Sequence, residues 1–321
     1  MTMNTDGTSA VEVRNLVKTF GGCRAVDGID FNIPAGTVCC ILGPNGAGKT
    51  TVISILATLT APDSGSVKIF GCDVRKDANK VRRLIGLTGQ FASIDEGMTA
   101  AENLMIFARL LGFSRKGAKE RTKELLEEFS LTEVADTTLS EFSGGMRRRL
   151  DIAASLITRP PLIFLDEPTT GLDPRTRAQM WHTIRNLVKN GSTILMTTQY
   201  LDEADQLADS IVIIDRGRVI ANDTPDGLKK SIGSMILRIT VKEMTRAEEA
   251  AVIIGRSADS AVPFSEACEL TAPIDNTGCL ARVLAALKDA DIELTEINVT
   301  RPTLDEVFFA LTGGGEESED R

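Results

Sequence analysis

One eight-residue stretch constrains this 321-residue chain more than any other. Gly43-Pro44-Asn45-Gly46-Ala47-Gly48-Lys49-Thr50 fits the pattern G-x-x-x-x-G-K-[ST] in full. An apolar, strand-like run (residues 37–42) precedes it, and an apolar run that reads as a buried helix (residues 49–60) follows it. The glycines let the backbone wrap closely enough for its N–H groups to point at phosphate oxygens. The N-terminus of the following helix adds partial positive charge. Lys49 brings a full charge to β- and γ-phosphates, the Thr50 hydroxyl is a Mg²⁺ ligand, and Thr51 offers a further phosphate contact. A strand, such a loop and a helix in this order predict an α/β fold of the P-loop NTPase kind.

Leu162-Ile163-Phe164-Leu165-Asp166-Glu167 is an apolar strand ending in two acids. Charge at the end of a buried strand is costly unless it faces a metal or a site. Ligands in open α/β sheets sit at the carboxyl ends of the strands. Asp166 is therefore expected to contact Mg²⁺, through a water, and Glu167 to accept a proton from the attacking water. Further strands are predicted at residues 11–16, 31–33, 66–70, 84–88, 193–197, 211–215 and 219–221, with a helix at 175–189. Residues 102–153 read as helical, with Leu104, Phe107, Leu110 and Leu111 at helical spacing.

After about Ser231 the pattern changes to β-α-β-α-β-α: strands at 236–242, 268–272 and 293–299, helices at 246–254, 277–290 and 304–311. This predicts a second, small α+β domain of the ferredoxin-like kind. The expected organisation is a polar N-terminus (1–10), a nucleotide-binding domain (11–230) with a helical subdomain (about 91–160), a C-terminal domain (231–312) and an acidic, disordered tail (313–321).

Composition limits the classes open to the chain. There are 36 Lys+Arg against 45 Asp+Glu, a formal net charge of −9, which argues against broad nucleic-acid binding. Hydrophobic residues at 42% and charged residues at 25% exclude a disordered, collagen-like or disulfide-framework chain. The longest uncharged run, residues 31–48, is broken by Pro34, Gly36, Gly43 and Pro44, so no membrane-spanning helix is expected. No basic n-region followed by an apolar segment marks a signal peptide. The cysteines form no C-x-x-C pair and read as small hydrophobes of a reducing cytosol.

Between the two chemical motifs stands Phe142-Ser143-Gly144-Gly145-Met146, which on its own reads as a plain loop. In this order and spacing the set resembles the ATP-binding-cassette (ABC) ATPases, over about residues 11–225. That resemblance implies a core with an antiparallel β subdomain and a helical subdomain. It also implies a signature loop at Ser143, Gly144 and Gly145, a Q-loop at Gln90 that reaches the metal, and a D-loop at Gly171-Leu172-Asp173. Phe20 falls where the family stacks an aromatic ring on adenine, unless it is simply a core aromatic, and Val26 where it lines that pocket. Two such domains sandwich two ATP molecules, the phosphate loop of one facing the signature loop of the other. A homodimer of this chain is thus expected to be active.

Two positions depart from the family pattern. Met146 replaces the usual Gln, and Gln199 stands where the family has a switch histidine. Gln can bond a phosphate or orient water but carries no proton, which leaves base chemistry to Glu167. The sole histidine, His182, lies within the 175–189 helix and reads as a surface or packing residue.

Met196-Thr197-Thr198-Gln199-Tyr200-Leu201-Asp202-Glu203-Ala204-Asp205 narrows the resemblance, as do Gly144-Gly145-Met146-Arg147-Arg148-Arg149 and Arg301-Pro302-Thr303-Leu304-Asp305-Glu306-Val307-Phe308. Together they resemble the daunorubicin/doxorubicin-resistance (DrrA-type) exporter ATPases of actinobacteria. The arginine run also reads as a solvated or salt-bridged helix face, and residues 304–308 as plain packing of the last helix or as an assembly contact. The resemblance implies a peripheral ATPase on the cytoplasmic face of the membrane, paired with a separate permease of about six spans. The coupling surface is expected from Gln90 to about Gly112. A single phosphate loop disfavours a translation factor, the short interval between Lys49 and Ser143 a DNA-repair ATPase, and the helix-rich C-terminal domain an importer.

Overall fold

The computed structural model describes residues 9–88, 94–232, 235–258 and 269–312. The chain divides into two compact units, Met1–Asp223 and Thr224–Arg321.

The first unit opens with two long strands, β1 (Ser9–Phe20) and β2 (Cys23–Pro34). They form a hairpin in which Phe20 pairs with Cys23. The two-residue turn, Gly21 and Gly22, has φ of 53° and 90°. Positive φ at both central positions matches the twist of the strands and favours glycine. β3 (Val38–Leu42) leads through the phosphate loop into α1 (Lys49–Leu56). β4 (Ser64–Ile69), β5 (Cys72–Asp73), α2 (Ala78–Leu84) and β6 (Ile85–Thr88) follow. β1, β2, β4 and β5 make a four-stranded antiparallel sheet in the order β2-β1-β4-β5.

The helical run of the sequence resolves into α3 (Ala100–Leu110), α4 (Arg115–Glu128) and α5 (Gly144–Ser155). Each has a side-chain cap. Thr99 and Glu102 form a reciprocal capping box at α3, Ser114 accepts from the Gly117 N–H, and Ser143 from the Met146 N–H. β7 (Leu162–Asp166), α6 (Pro174–Lys189), β8 (Thr193–Thr197), α7 (Leu201–Leu207), β9 (Ser210–Asp215) and β10 (Arg218–Asp223) complete the unit. The main sheet has the order β10-β9-β3-β8-β7-β6 and is parallel except for β10. Every residue of β3, β7 and β8 is buried, as a parallel sheet covered on both faces requires.

In the second unit α8 (Pro225–Ser231) precedes the central strand β11 (Met235–Val241). α9 (Ala247–Ala258), β12 (Glu269–Ile274), α10 (Thr277–Asp289), β13 (Leu294–Thr300) and α11 (Leu304–Thr312) follow. β12 and β13 flank β11, both antiparallel to it. Leu237, Ile239 and Val241 project from one face of β11 into a core with Ile254 of α9 and Cys279, Val283 and Leu287 of α10. On the other face Arg238 pairs with Glu306 of α11, which also packs against α8. A ferredoxin-like domain has a further strand between its first helix and the strand corresponding to β12, and residues 259–268 lie outside the described ones.

The unit boundary falls before α8, seven residues ahead of the sequence-based estimate, because α8 packs with α11. The N-terminal stretch 1–8 and the tail 313–321 are outside the described residues.

Candidate active site

Three strands deliver the site. β8 lies between β3 and β7, so their carboxyl ends are adjacent. The phosphate loop leaves β3, Asp166 ends β7, and Gln199 follows β8. These motifs are far apart in sequence, and the parallel register brings them together.

The loop closes on itself and on β2. At Gly48, where φ is 106°, a Cβ would stand 2.3 Å from the Ala25 carbonyl oxygen. At Gly43 it would stand 2.1 Å from the Ile214 carbonyl oxygen. Only glycine fits either place. The Gly217 N–H donates to the Ala47 carbonyl at 3.0 Å, pinning the loop to the β9–β10 turn. Lys49 is buried, and its Nζ donates to the carbonyls of Gly43 (2.7 Å) and Pro44 (3.0 Å). Burial lowers its pKa, while the Glu167 and Asp166 carboxylates act in the opposite direction. Pro44, Asn45, Gly46 and Thr50 are exposed, Ala47 is buried and Thr51 half-buried.

Asp166 is buried and accepts from the Thr197 hydroxyl of β8. The Glu167 N–H donates to both the carbonyl and the hydroxyl oxygen of Thr197, each at 3.1 Å. Glu167 itself has φ 45°, a left-handed conformation for a non-glycine residue. Its Oε2 accepts from the Thr170 hydroxyl at 3.0 Å. One side of its carboxylate is therefore fixed. Thr197 and Thr170 were missed from sequence; Thr197 is legible only once β8 is known to lie beside β7.

Ser143 and Gly144 are exposed at the N-terminus of α5, whereas Gly145 packs against Thr176 and Leu172. Asp173 caps α6, accepting from the N–H groups of Arg175 and Thr176 (3.0 Å each) and from the Thr176 hydroxyl (2.6 Å). Those bonds, the Thr176 hydroxyl first, lower its pKa. Gln199 is exposed. Phe20 is 51% exposed at the hairpin end, with Lys18 Nζ 5.2 Å from its ring centre, so it is not a core aromatic. Val26 is fully buried within the hydrophobic core, so it offers no surface to an adenine pocket, contrary to the expectation from sequence. His182 is exposed. Gln90 lies outside the described residues.

The three arginines of α5 go to three places. Arg147 pairs with Glu96 at 2.7 Å, and Arg149 donates to the carbonyls of Phe129 (3.1 Å) and Ser130 (3.4 Å). Arg148 donates to the carbonyls of Asp166, Glu167 and Pro168. Arg147 makes a salt bridge of the kind that a charged helix face suggests.

The Thr50 hydroxyl and the Asp166 carboxylate are hard oxygen donors beside a glycine cradle that a Cβ would fill. Such a set fits Mg²⁺, which keeps waters and shares its coordination between a few protein oxygens and substrate phosphates. No cluster of three or more His, Cys, Asp or Glu that could hold a metal unaided occurs among the described residues.

A phosphate loop after β3, a carboxylate pair at the end of β7 and a capped, glycine-led helix in an inserted helical segment define the nucleotide-hydrolysing P-loop class of the ABC type. The family model described as ABC transporter matches residues 26–170. The daunorubicin/doxorubicin resistance ATP-binding protein DrrA of Streptomyces peucetius is 51% identical over 314 residues, 97% of this chain and 94% of that protein. The doxorubicin resistance ATP-binding protein DrrA of Mycobacterium tuberculosis (strain ATCC 25618 / H37Rv) is 41% identical over 316 residues, 96% of this chain and 95% of that protein. A solved ATP-binding cassette, a dimeric post-hydrolysis state bound to ADP and phosphate, superposes with a TM-score of 0.61 at 27% identity, covering 67% of this chain and 98% of that one. The chain belongs to the ATP-binding subunits of ABC transporters, within the DrrA-type resistance family. It is an ATPase that binds ATP, of a class that dimerises and works with separate membrane subunits. No helix among the described residues is long and apolar enough to cross a membrane.

Proposed function

We propose that this chain powers the export of a drug or lipid-like compound through a separate permease of about six spans. It would work as a homodimer on the cytoplasmic face of the membrane. Full-length similarity to drug-resistance ATP-binding proteins supports the export reading. The observation that carries the chemistry is the convergence of Lys49, after β3, with Asp166 and Glu167, at the end of β7, on either side of β8, whose Thr197 bonds both acids' residues.

In this reading the N–H groups of residues 45–51, at the loop and the start of α1, hold the phosphates. Lys49 leaves the Gly43 and Pro44 carbonyls and neutralises the β- and γ-oxygens. Its buried ammonium is more effective there than a solvated one. Thr50, Asp166 and Gln90 would hold Mg²⁺, which supplies charge neutralisation on the phosphates. Glu167, steadied by Thr170, takes the proton of the attacking water, and Gln199 orients that water or bonds the γ-phosphate. Phe20, exposed at the hairpin end, stacks on the adenine. Ser143, Gly144 and Gly145 contact the nucleotide held by the other subunit, and Asp173 braces that junction by fixing the start of α6. The surface from Gln90 to about Gly112 receives the permease; of it, residues 94–112 are described.

The purified chain should release phosphate from ATP only with Mg²⁺ present, and Lys49→Ala should lower nucleotide affinity by at least about tenfold. Metal-independent turnover, or unchanged affinity in the variant, would contradict the assignment. Copurification with the permease and stimulation of turnover by an anthracycline test the export reading.

A further inference from the structure

Arg148 sits on α5, five positions after Ser143, and does something that its neighbours Arg147 and Arg149 do not. Its guanidinium reaches across to the turn that follows β7 and donates to three consecutive backbone carbonyls, those of Asp166, Glu167 and Pro168. The structure assigns Arg148 as a positioning residue for hydrolysis: it holds the turn that presents Glu167. This rests on the reading of Glu167 as the base.

The turn needs holding. Glu167 is left-handed, and a non-glycine residue stays in that region only where its surroundings over-determine it. On one side the Glu167 N–H is bonded to Thr197. On the other, the carbonyls face α5 and are met by a planar fork whose several donors have fixed directions. The guanidinium is largely buried, which lowers its pKa, but Asp151, Asp166, Glu167 and Glu203 all act to keep it charged. A lysine could reach one of these carbonyls and could not span three.

The location has a further consequence. The N-terminus of α5 carries Ser143 and Gly144, exposed and assigned above to the partner's nucleotide. The same helix would thus meet one ATP at its tip and set the catalytic turn of the other site from its second turn. Arg148 would tie hydrolysis in one site to the seating of the signature helix at the other.

The test uses the full-length chain with Arg148→Met and Arg148→Lys, beside the wild type, whose own turnover separates failure of this inference from failure of the functional reading. Turnover, equilibrium affinity for MgATP and the ATP-dependent dimer fraction in the ultracentrifuge are measured. Misplacing a catalytic group costs rate rather than binding, so Arg148→Met should lower kcat by about ten- to a hundredfold with affinity within about threefold. Its ATP-bound dimer should accumulate, which a general loosening of the fold would not produce. Arg148→Lys should fall between, at least about threefold below the wild type, and decides by the same criteria if the Met variant does not fold. Turnover within about twofold of wild type in either folded variant overturns the inference, as does a parallel loss of affinity and kcat.

Discussion

At the scale of single residues the site is held by groups that do no chemistry themselves. Thr197 bonds the Asp166 carboxylate and the Glu167 N–H, Thr170 steadies the Glu167 carboxylate, and Arg148 caps the carbonyls behind both. Asp151, one turn along α5 from Arg148, has its pKa pushed up by burial from 3.8 to about 6, against the pull of Arg148 and Arg147. A raised native-state value means that the folded chain binds this proton more readily than the unfolded chain. Its contribution to stability is therefore present in acid and falls as the pH rises from about 4 to about 6. Asp151→Asn should raise Tm relative to wild type at about pH 7.5, and the difference should shrink towards about pH 4. A Tm difference that does not change with pH contradicts this. The chemical residues were legible because their types and spacing are dictated by phosphate. Arg148 was not, since three adjacent arginines look alike until α5 has a rotation.

At the scale of elements, the buried strands β3, β7 and β8 were read from their apolar runs almost to the residue. Other elements were not. The 12-residue lengths of β1 and β2 were missed because alternation weakens at Asn15, where φ is 45°, and in the polar residues after it. α7 was missed because it is short and polar, and α2 because it is short and buries only Val81. The loop between β3 and α1 shows what tight packing demands. Gly48→Ala forces a Cβ onto the Ala25 carbonyl in a left-handed conformation, and should cost about 1–3 kcal/mol, a Tm drop of about 2–10 °C. Gly46→Ala, where a Cβ meets nothing within 4 Å, should cost less. Thermal unfolding of both variants checks this, and a larger loss at Gly46 contradicts it.

At the scale of the whole molecule, two units of different construction share one chain, a nucleotide-hydrolysing cassette and an α+β unit built on β11. The sequence pattern changes near Ser231, whereas the second unit begins at Thr224, because α8 packs with α11. The proposed ATP sandwich also belongs to this scale, since Ser143 and Gly144 are exposed on the cassette that carries Lys49 and Glu167. In the proposed mechanism everything depends on Glu167 as the group that accepts a proton from water. Its most direct test is single-site phosphate release from MgATP by the full-length Glu167→Gln variant beside the wild type, with nucleotide binding measured on the same samples. Turnover of the variant should be at least about a hundredfold lower with affinity retained. Phosphate release at the wild-type rate would contradict it.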